Sequence, residues 1–431
     1  MSRRGLNGRG LNGRSASRRA LAGIVALALV GGAAASGIDA APASADGVRD
    51  GEYWLDEYGI RAAWGLSQGS GVTIAVIDTG VDGSVPELAG AISGGADFSG
   101  LGSADGQTPV GTEGSEHGTM VASLAAGRGT GGNNGVIGSA PAATIMPISI
   151  GFGEGSTSSY DQIAAAVRYA VDEGADVINM SLTRNTRDWP ESWDDAFLYA
   201  MENDVVVVAA AGNRGSGTTE VGAPATMPGV LTVAGLDQNG QASFDASAQG
   251  ITIAVAAPSE NLVGVVPGGA HVTWNGTSGA TPIVAGIVAL VIAAHPELDA
   301  ANVINRVVAT ARDSGTPGAD PIYGFGLIDA RAAVEASVPA VSENPMGELA
   351  DWITLHRRAE STPSPVPTSG PAPTPAPVVA APKNPLGSIL PTVNLLRNVG
   401  IPVAVLLLFA VIIGWLGVAA LRHFRGSRNS G

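Results

Sequence analysis

The sequence predicts an α/β domain built on a doubly wound, mainly parallel sheet. The chain has 431 residues, of which 45% are hydrophobic, so it is long and apolar enough to bury a large core. Residues 72–77 and 205–211 are apolar on both alternating faces, as strands of a sheet covered on two sides are. Helix-like stretches lie between such strands, and this alternation is typical of a parallel sheet.

The first 45 residues have the order of an export signal. Six arginines precede an apolar run at residues 20–35, and small residues suited to cleavage occupy positions 43–45. Two Arg-Arg pairs permit twin-arginine export, and their flanking residues do not decide between it and the general route, which we favour. An uncleaved anchor is the alternative, although the apolar run is short for a bilayer span. We therefore predict a signal peptide at residues 1–45.

One strand–helix–strand unit can be placed from the residues that bound it. Ser158 and Ser159 are suitable caps for a helix at residues 163–173, and residues 175–180 form the predicted next strand. Repeated units of this kind connect parallel strands by right-handed crossovers. Ligands bind beyond the carboxyl ends of such strands, so functional residues are expected there.

The C-terminal part predicts a linker, a membrane span and a short tail. Residues 341–398 form the linker, in which nine of the 25 residues from 361 to 385 are proline. Residues 399–421 carry no charge and would form a helix of about 34 Å, long enough to cross a bilayer and contact membrane lipid. The arginines within residues 422–431 place this tail in the cytoplasm, and the domain at residues 46–340 lies outside the cell. The predicted location is the cell membrane, with a single span.

Composition excludes several classes of chemistry. The chain has no cysteine, and its only lysine, Lys383, lies in the proline-rich segment. Thiol nucleophiles, disulfides, cysteine-based metal sites, P-loops and Schiff-base lysines therefore have no candidate residue. No two of the five histidines are four residues apart, so a helical His-x-x-x-His metal site is also excluded. Serine, histidine, aspartate and glutamate remain as reactive side chains.

The charge of the central segment argues against nucleic acid as a partner. The chain carries 23 basic and 38 acidic side chains, a net charge of −15. Nine of the basic residues lie before residue 20 or after residue 421, so residues 46–398 hold 37 acids and 14 bases, a net charge of −23. A segment this acidic would repel a phosphate backbone. Its simplest explanation is a solvated surface that favours solubility.

Four short polar motifs follow predicted strands or open predicted helices. Asp78-Thr79-Gly80 follows the first predicted strand, and Gly212-Asn213 follows a later one. His117-Gly118-Thr119 opens a helix-like run. The segment from Gly276 to Pro282 leads into a long apolar helix at about residues 278–294. Each motif therefore delivers polar side chains to the carboxyl edge of the predicted sheet.

These residues suit nucleophilic catalysis by serine. The hydroxyl of Ser278 is a poor nucleophile unless a neighbouring base takes its proton, and the imidazole of His117 can be that base. A buried Asp78 carboxylate would fix the imidazole tautomer and stabilise its charged form. The oxygen that becomes negative during acyl transfer needs preorganised donors, which Asn213 and the Ser278 N–H supply. We therefore predict a Ser-His-Asp triad with Asn213 in an oxyanion hole.

The four motifs together resemble those of subtilisin-family serine proteases, in the same order and over roughly residues 54–333. The resemblance implies an endopeptidase that acts on protein or peptide substrates and needs no organic cofactor. It also implies that Ser181, Leu182 and Thr183 form the edge strand that pairs with substrate. Two further residues, Gly212 and Gly222, would leave room for an apolar substrate side chain, with Gly222 near the pocket floor.

Gly279 departs from the family pattern, because many relatives carry a larger apolar residue at this position. It directly follows the predicted nucleophile Ser278. The substitution affects packing rather than the reacting groups, so the predicted chemistry is unchanged.

The overall layout is most similar to the mycosins, the membrane-anchored subtilases of actinobacterial type VII secretion. A signal, Tyr53-Trp54-Leu55 near the predicted mature start, a protease domain, a proline-rich linker, a span and a basic tail all fit this subfamily. Residues 46–71 are too few for the folding prodomain of many secreted subtilases. The lack of cysteine is a departure from many mycosins, which carry disulfides. The resemblance implies secretion-system components as partners.

Other functions are compatible with parts of the sequence. The domain could chiefly stabilise a secretion complex, or it could be an inactive peptide-binding relative. Asp-Thr-Gly also marks pepsin-like aspartic proteases, with Asp313 as a second carboxylate, but those folds are nearly all β. Many subtilases bind structural calcium; without a ligand spacing such as that of an EF-hand, we assign no metal residue.

Overall fold

The computed structural model describes residues 47–131, 134–153 and 157–357. All of them belong to the first of the two units into which the chain divides, Met1–Ser361 and Thr362–Gly431.

The predicted signal peptide at residues 1–45, membrane span at 399–421 and tail at 422–431 lie outside the described residues. The same holds for the predicted linker beyond residue 357. These segments stay predictions from the sequence.

A seven-stranded sheet forms the centre of the domain, and all its neighbouring strands run parallel. Its strands are β1 (Thr73–Asp78), β2 (Ala96–Asp97), β3 (Thr144–Ser149), β4 (Val177–Met180), β5 (Val206–Ala210), β6 (Leu231–Leu236) and β7 (Ile253–Pro258). Their order across the sheet is β2-β3-β1-β4-β5-β6-β7. The predicted α/β fold with a parallel sheet is therefore confirmed.

Helices cover the sheet, and a hairpin follows it. The helices are α1 (Val48–Gly51), α2 (Trp54–Glu57), α3 (Ile60–Ala63), α4 (His117–Ala126), α5 (Ser159–Asp172), α6 (Glu191–Glu202), α7 (Thr277–Ala294), α8 (Ala300–Ala309), α9 (Ala330–Glu335) and α10 (Leu349–His356). The antiparallel hairpin consists of β8 (Leu262–Val265) and β9 (His271–Trp274). Successive residues of the central strands are buried, because helices pack on both sheet faces.

The order of strands reverses at β1. From β1 the chain first continues to β2 and β3 on one side and then to β4 through β7 on the other. Asp78, the last residue of β1, lies opposite Ser149 of β3. In open parallel sheets such a reversal leaves a crevice at the carboxyl ends of the strands, where ligands bind. The fold therefore places Asp78 at the expected position for a functional site.

Helix α7 is the core helix of the domain. It is the one helix among the described residues that is long and apolar enough to cross a membrane, but 78% of its most apolar window is buried within the fold. It packs against α4 and against β4 through β7. An apolar surface all round suits a helix that is surrounded by protein. The prediction of a long helix over residues 278–294 is thus confirmed.

The segment that precedes β1 packs into the domain, and it brings a carboxyl group with it. Trp54 and Ile60 are fully buried, and Glu52 is buried as well. Glu52 Oε1 accepts from the Ile137 N–H at 2.8 Å, while its Oε2 lies 3.5 Å from Arg49 Nε without a hydrogen bond. Burial raises the pKa of Glu52 to about 8, because it outweighs the opposing effects of the Ile137 N–H and the Arg49 charge.

Replacing Glu52 with glutamine is expected to reduce the dependence of stability on pH. Above pH 4.5 the unfolded chain releases the Glu52 proton, while the folded chain retains it up to about pH 8. The contribution of Glu52 to the free energy of unfolding is therefore complete below pH 4.5 and is lost as the pH rises through about 8. The rise of the Glu52 pKa from 4.5 to about 8 corresponds to an expected loss in the wild type on the order of 5 kcal/mol. Urea unfolding of the full-length chain at low and high pH measures it.

A matched control for this experiment is Glu57→Gln, because Glu57 is exposed in the same segment. This variant should keep the pH dependence of the wild type. Equal pH dependence in the Glu52→Gln variant and the wild type would contradict the prediction.

The domain extends beyond the predicted boundary at residue 340. Helix α10 packs against α6, and the ring of Trp352 lies 4.3 Å from that of Trp189 between centroids. Arg357 closes this contact with an ion pair to Asp194, from Nε to Oδ2 at 2.8 Å. Residues 341–357 therefore belong to the domain and not to the linker. The sequence alone misplaces them because eight helical residues are too few for a periodic pattern.

Candidate active site

The four polar motifs meet at one cavity at the carboxyl edge of the sheet. The cavity has a volume of about 350 Å³. Its lining residues come from strand ends, helix starts and the loops between them: Thr79, Glu113, Gly114, His117, Phe152, Ser181, Leu182, Thr183, Ala210, Gly212, Asn213, Thr277 and Ser278. Asp78 is fully buried behind His117. Most of the predicted site residues are thus brought together.

Asp78 and His117 form a hydrogen-bonded pair. His117 Nδ1 lies 2.9 Å from Oδ1 and 3.0 Å from Oδ2 of Asp78. The Thr79 N–H also donates to Asp78 Oδ1, at 2.7 Å. Because the carboxylate can only accept, the proton belongs on Nδ1, and His117 Nε2 is left with a lone pair. This is the tautomer that a general base requires.

The same contact sets the pKa of His117. Burial by itself lowers the pKa of the imidazole, but the charge and hydrogen bond of Asp78, assisted by the charge of Glu116, outweigh burial and raise the pKa above its ordinary value of 6.5. A stronger base accepts a proton from a serine hydroxyl more readily.

The Asp78 and His117 motifs are in direct backbone contact. Thr79 Oγ1 accepts from the Gly118 N–H at 3.0 Å and donates to the Ser115 carbonyl at 3.1 Å. A Cβ at Gly118 would collide with the carbonyl oxygen of Gly80, so this approach requires glycine at position 118. The small residues in the two motifs therefore hold the start of α4 against the end of β1.

The backbone of Ser278 is tied to the segment that follows β4. Pro282 has no N–H, so the Ser278 carbonyl lacks its usual partner four residues later in α7. Ser181 Oγ donates to that carbonyl instead, at 2.8 Å, and Asn179 Nδ2 donates to Ser181 Oγ at 3.1 Å. Because Pro282 leaves the Ser278 carbonyl without a partner in the helix, this carbonyl can accept the Ser181 hydroxyl. That hydrogen bond holds the backbone of the predicted nucleophile.

The hydroxyl of Ser278 donates to the Ser181 carbonyl oxygen at 3.1 Å. Within the part of the chain that the structure describes, it makes no hydrogen bond to His117. Both side chains line the same cavity, and a serine side chain changes rotamer on a picosecond to nanosecond timescale. The structure therefore has the Asp-His half of the predicted triad in place, while the His-Ser contact stays a prediction that requires rotation about the Ser278 Cα–Cβ bond.

Asn213 is held by the residue before the predicted nucleophile. Its Oδ1 accepts from both the N–H and the hydroxyl of Thr277, each at 2.8 Å. This fixes the amide so that Nδ2 points away from Thr277. The N–H of Ser278 lies in the first turn of α7, where backbone donors have no acceptor within the helix. The two predicted oxyanion donors therefore belong to residues that border one cavity.

Four of the five residues predicted to contact substrate line the cavity, namely Ser181, Leu182, Thr183 and Gly212. The segment from Ser181 to Thr183 continues beyond the end of β4 and is not itself part of a strand. Its backbone is therefore available for pairing with an extended chain at the edge of the cavity.

Gly222 does not provide pocket space, which corrects the prediction from the sequence. A Cβ at Gly222 would collide with the carbonyl oxygen of Arg184 and lie 2.8 Å from Thr183 Oγ1. The small size of Gly222 therefore accommodates the chain at residues 183–184, which is packed against it. The sequence does not reveal this contact because the two segments are far apart along the chain.

Besides Gly114, two lining residues, Glu113 and Phe152, escape the sequence analysis. Both lie in glycine-containing loops, whose paths hydrophobic periodicity does not predict. Phe152 is 52% exposed. An aromatic residue between two glycines after a strand is the signal that could have identified it.

The described residues contain no group of three or more His, Asp or Glu side chains arranged to hold a metal ion. The expectation of structural calcium therefore stays without assigned ligands.

Comparison with protein families gives a match across the motifs. A family model described as the subtilase family matches residues 69–326, which include Asp78, His117, Asn213 and Ser278. Subtilisin E of Bacillus subtilis (strain 168) is 36% identical over 301 residues, which cover 66% of this chain and 74% of that protein.

Solved structures with the same fold include two secretion-related proteases. MycP1 with its N-terminal propeptide removed gives a TM-score of 0.57 at 34% identity, covering 67% of this chain and 98% of that one. The MycP3 protease from the type VII (ESX-3) secretion system gives a TM-score of 0.57 at 31% identity, covering 66% of this chain and 88% of that one.

Proposed function

Because the chain belongs to the subtilase family of serine proteases, we propose that it is a membrane-anchored extracellular endopeptidase associated with protein secretion. It hydrolyses peptide bonds through an acyl-enzyme at Ser278. The observation that carries this proposal is the hydrogen-bonded Asp78–His117 pair at a cavity that Ser278 and Asn213 also line.

In the acylation step, Ser278 Oγ attacks the carbonyl carbon of the scissile peptide bond while His117 Nε2 takes the hydroxyl proton. Asn213 Nδ2 and the Ser278 N–H stabilise the negative oxygen that forms. His117 then gives the proton to the departing nitrogen, and the C–N bond breaks. Asp78 remains ionised throughout and stabilises the imidazolium.

Deacylation repeats the same proton transfers with water. His117 takes a proton from the water as its oxygen attacks the acyl carbon, and the same donors stabilise the second negative oxygen. The bond to Ser278 Oγ breaks, and the proton returns from His117 to that oxygen. The enzyme ends in its starting state, so no organic cofactor is consumed.

Labelling by a serine-directed phosphonate tests the proposed reaction. The full-length protein is expected to react at Ser278, as identified by peptide mapping, and to cleave members of a peptide library. Labelling at a different serine, or cleavage that persists after complete labelling, would refute the mechanism. The library also gives the sequence preference at each substrate position.

Replacing Asn213 with alanine is expected to lower kcat by about 10²–10³-fold with little change in KM, the range measured for loss of such a donor in a subtilisin. The donor acts on charge that develops in the transition state, so ground-state binding is largely kept. Steady-state kinetics on a library-derived peptide measure the effect. Asn239→Ala is a control, because Asn239 is an exposed turn residue outside the cavity. A mainly KM-based loss would contradict the role.

Membrane anchoring is proposed from residues 399–421, whose uncharged length suits a bilayer span. Fractionation of cells that express the full chain should recover it with the membrane. A variant that ends at residue 398 should be released to the outside. Recovery of this variant with the membrane would contradict anchoring by the segment.

A role in secretion is supported by the likeness to MycP1 and MycP3, which come from the ESX-1 and ESX-3 type VII secretion systems. The same likeness supports a second candidate function, stabilisation of a secretion complex without proteolysis. Cells that lack the protein and express the Ser278→Ala variant separate the two. Restored secretion favours the structural role, whereas loss of secretion with normal protein levels favours the proteolytic one.

A further inference from the structure

Gly279 has no role in the mechanism described above, yet it directly follows the nucleophile. A Cβ at this position would collide with Leu262 Cδ1 and lie 3.2 Å and 3.3 Å from Cζ2 and Cη2 of Trp274. Contacts this short are rare around a real Cβ, so residue 279 is glycine because the Trp274 indole and the Leu262 side chain fill the adjacent space.

The indole that fills this space also contacts the catalytic base. The rings of Trp274 and His117 are 5.7 Å apart between centroids at an angle of 76°, which is an edge-to-face contact. Trp274 ends β9 and lies opposite Leu262 of β8, so the hairpin fixes its backbone. The side chain is 6% exposed and does not line the cavity. It therefore contacts the base from outside the cavity.

The Trp274 indole is positioned by packing alone. Its Nε1 is buried and has no hydrogen-bond partner among the described residues. An unpaired buried N–H is unfavourable, and phenylalanine would keep an aromatic ring here without that cost. What tryptophan adds is size, which extends the ring from His117 to the space beside Gly279.

His117 needs such a contact because Asp78 holds only one side of its ring. The carboxylate fixes Nδ1, while the productive position of Nε2 depends on the tilt of the ring. A displacement of about 1 Å in a catalytic group can cost on the order of 100-fold in rate. A large buried ring packed edge-to-face against the imidazole restricts this tilt.

We propose that Trp274 is a positioning residue that orients His117 toward Ser278, and that Gly279 is the complementary small residue that admits its indole. This inference rests on the proposed function and adds a determinant of the orientation of the base. Its competitor is a purely structural role, in which Trp274 fills the core and affects only stability.

Kinetics per active site distinguish the two roles. Aliquots of the full-length wild type and of the variants Trp274→Leu and Trp274→Phe are titrated with the phosphonate to count the sites that can be labelled. The kcat, KM and pH profile are then measured on unlabelled aliquots, and kcat is expressed per site so counted. Trp274→Leu is expected to lower kcat by about 10- to 100-fold with KM within about threefold. Trp274→Phe should recover most of this loss, because it keeps a ring against His117.

Trp189→Leu is the matched control. Trp189 is 8% exposed, similar to Trp274, and packs against Trp352. Its replacement should lower the Tm and leave kcat per counted site unchanged. If Trp274→Leu behaves in the same way, with only its Tm lowered, the positioning role is overturned.

A double-mutant cycle tests the link to Gly279. In the wild-type background, Gly279→Ala crowds both Leu262 Cδ1 and the indole and so pushes on the ring that contacts His117, and kcat should fall about 3- to 10-fold. In the Trp274→Leu background the added methyl group meets no indole, and its further effect should be smaller. Additive effects would overturn the pairing of these two residues. Failure of the wild type to label or to cleave peptides would instead refute the proposed function itself.

Discussion

Replacing Ser278 with alanine is expected to lower kcat by about 10⁶-fold while the fold stays intact, a magnitude measured for the nucleophile of a subtilisin. The change removes the atom that forms the proposed acyl-enzyme, so no later step of the proposed mechanism can compensate. Its structural cost is small, because among the described residues the lost hydroxyl makes one hydrogen bond, to the Ser181 carbonyl. That loss corresponds to about 1 kcal/mol of stability.

The measurements are peptide hydrolysis, phosphonate labelling and thermal unfolding of the full-length chain. Ser93→Ala is a control, because Ser93 is exposed and lies outside the cavity. It should keep wild-type activity. Hydrolysis by the Ser278→Ala variant within about 100-fold of the wild type would show that another group is the nucleophile.

Replacing Asp78 with asparagine is expected to lower kcat by about 10⁴-fold, the effect measured for such a change in another Ser-His-Asp triad. Asparagine fits the same buried space, and its amide can donate to Nδ1 and stabilise the wrong imidazole tautomer. It also removes the charge that raises the pKa of His117. The expected loss of kcat therefore comes from impaired proton transfer by His117 and not from altered packing.

The pH dependence of kcat/KM gives an independent check of this pair. Activity needs neutral His117, so in the wild type it should fall as pH drops through the raised pKa, which lies above 6.5. In the Asp78→Asn variant burial is no longer opposed by the carboxylate, so the acidic limb should move to lower pH. Asp82→Asn, close in sequence but bonded to Ser84 and Gly268, should leave the limb in place. An unshifted limb in the Asp78→Asn variant would contradict the assignment.

The fold was largely predictable because strand and helix periodicity is a local property. The apolar runs before Asp78 and before Gly212 predicted β1 and β5, and the bounds differ from the structure by one residue at each end. Ser158 was predicted as a cap, and its side chain does accept from the Tyr160 N–H at the start of α5. The end of the domain was not predictable, because α10 and the residue that follows it, Arg357, contact Trp189 and Asp194, which are distant along the chain.

The site was predictable in its residues and less so in its contacts. Motif order identified Asp78, His117, Asn213 and Ser278, which the parallel sheet brings to one edge. Gly222 was misjudged because the chain at Arg184 packs against it. Glu113 and Phe152 were missed because they lie in loops whose path depends on the rest of the fold.

By itself, the sequence determined the parallel α/β fold, the four motifs and their order, because spacing along the chain and the residue types at strand ends are local information. Only the tertiary structure decided that Ser181 partners the Ser278 hydroxyl, that Trp274 packs on His117 beside Gly279, and that the chain remains packed on the domain to Arg357. These contacts join segments up to 168 residues apart, and their geometry is set by close packing that no local pattern records.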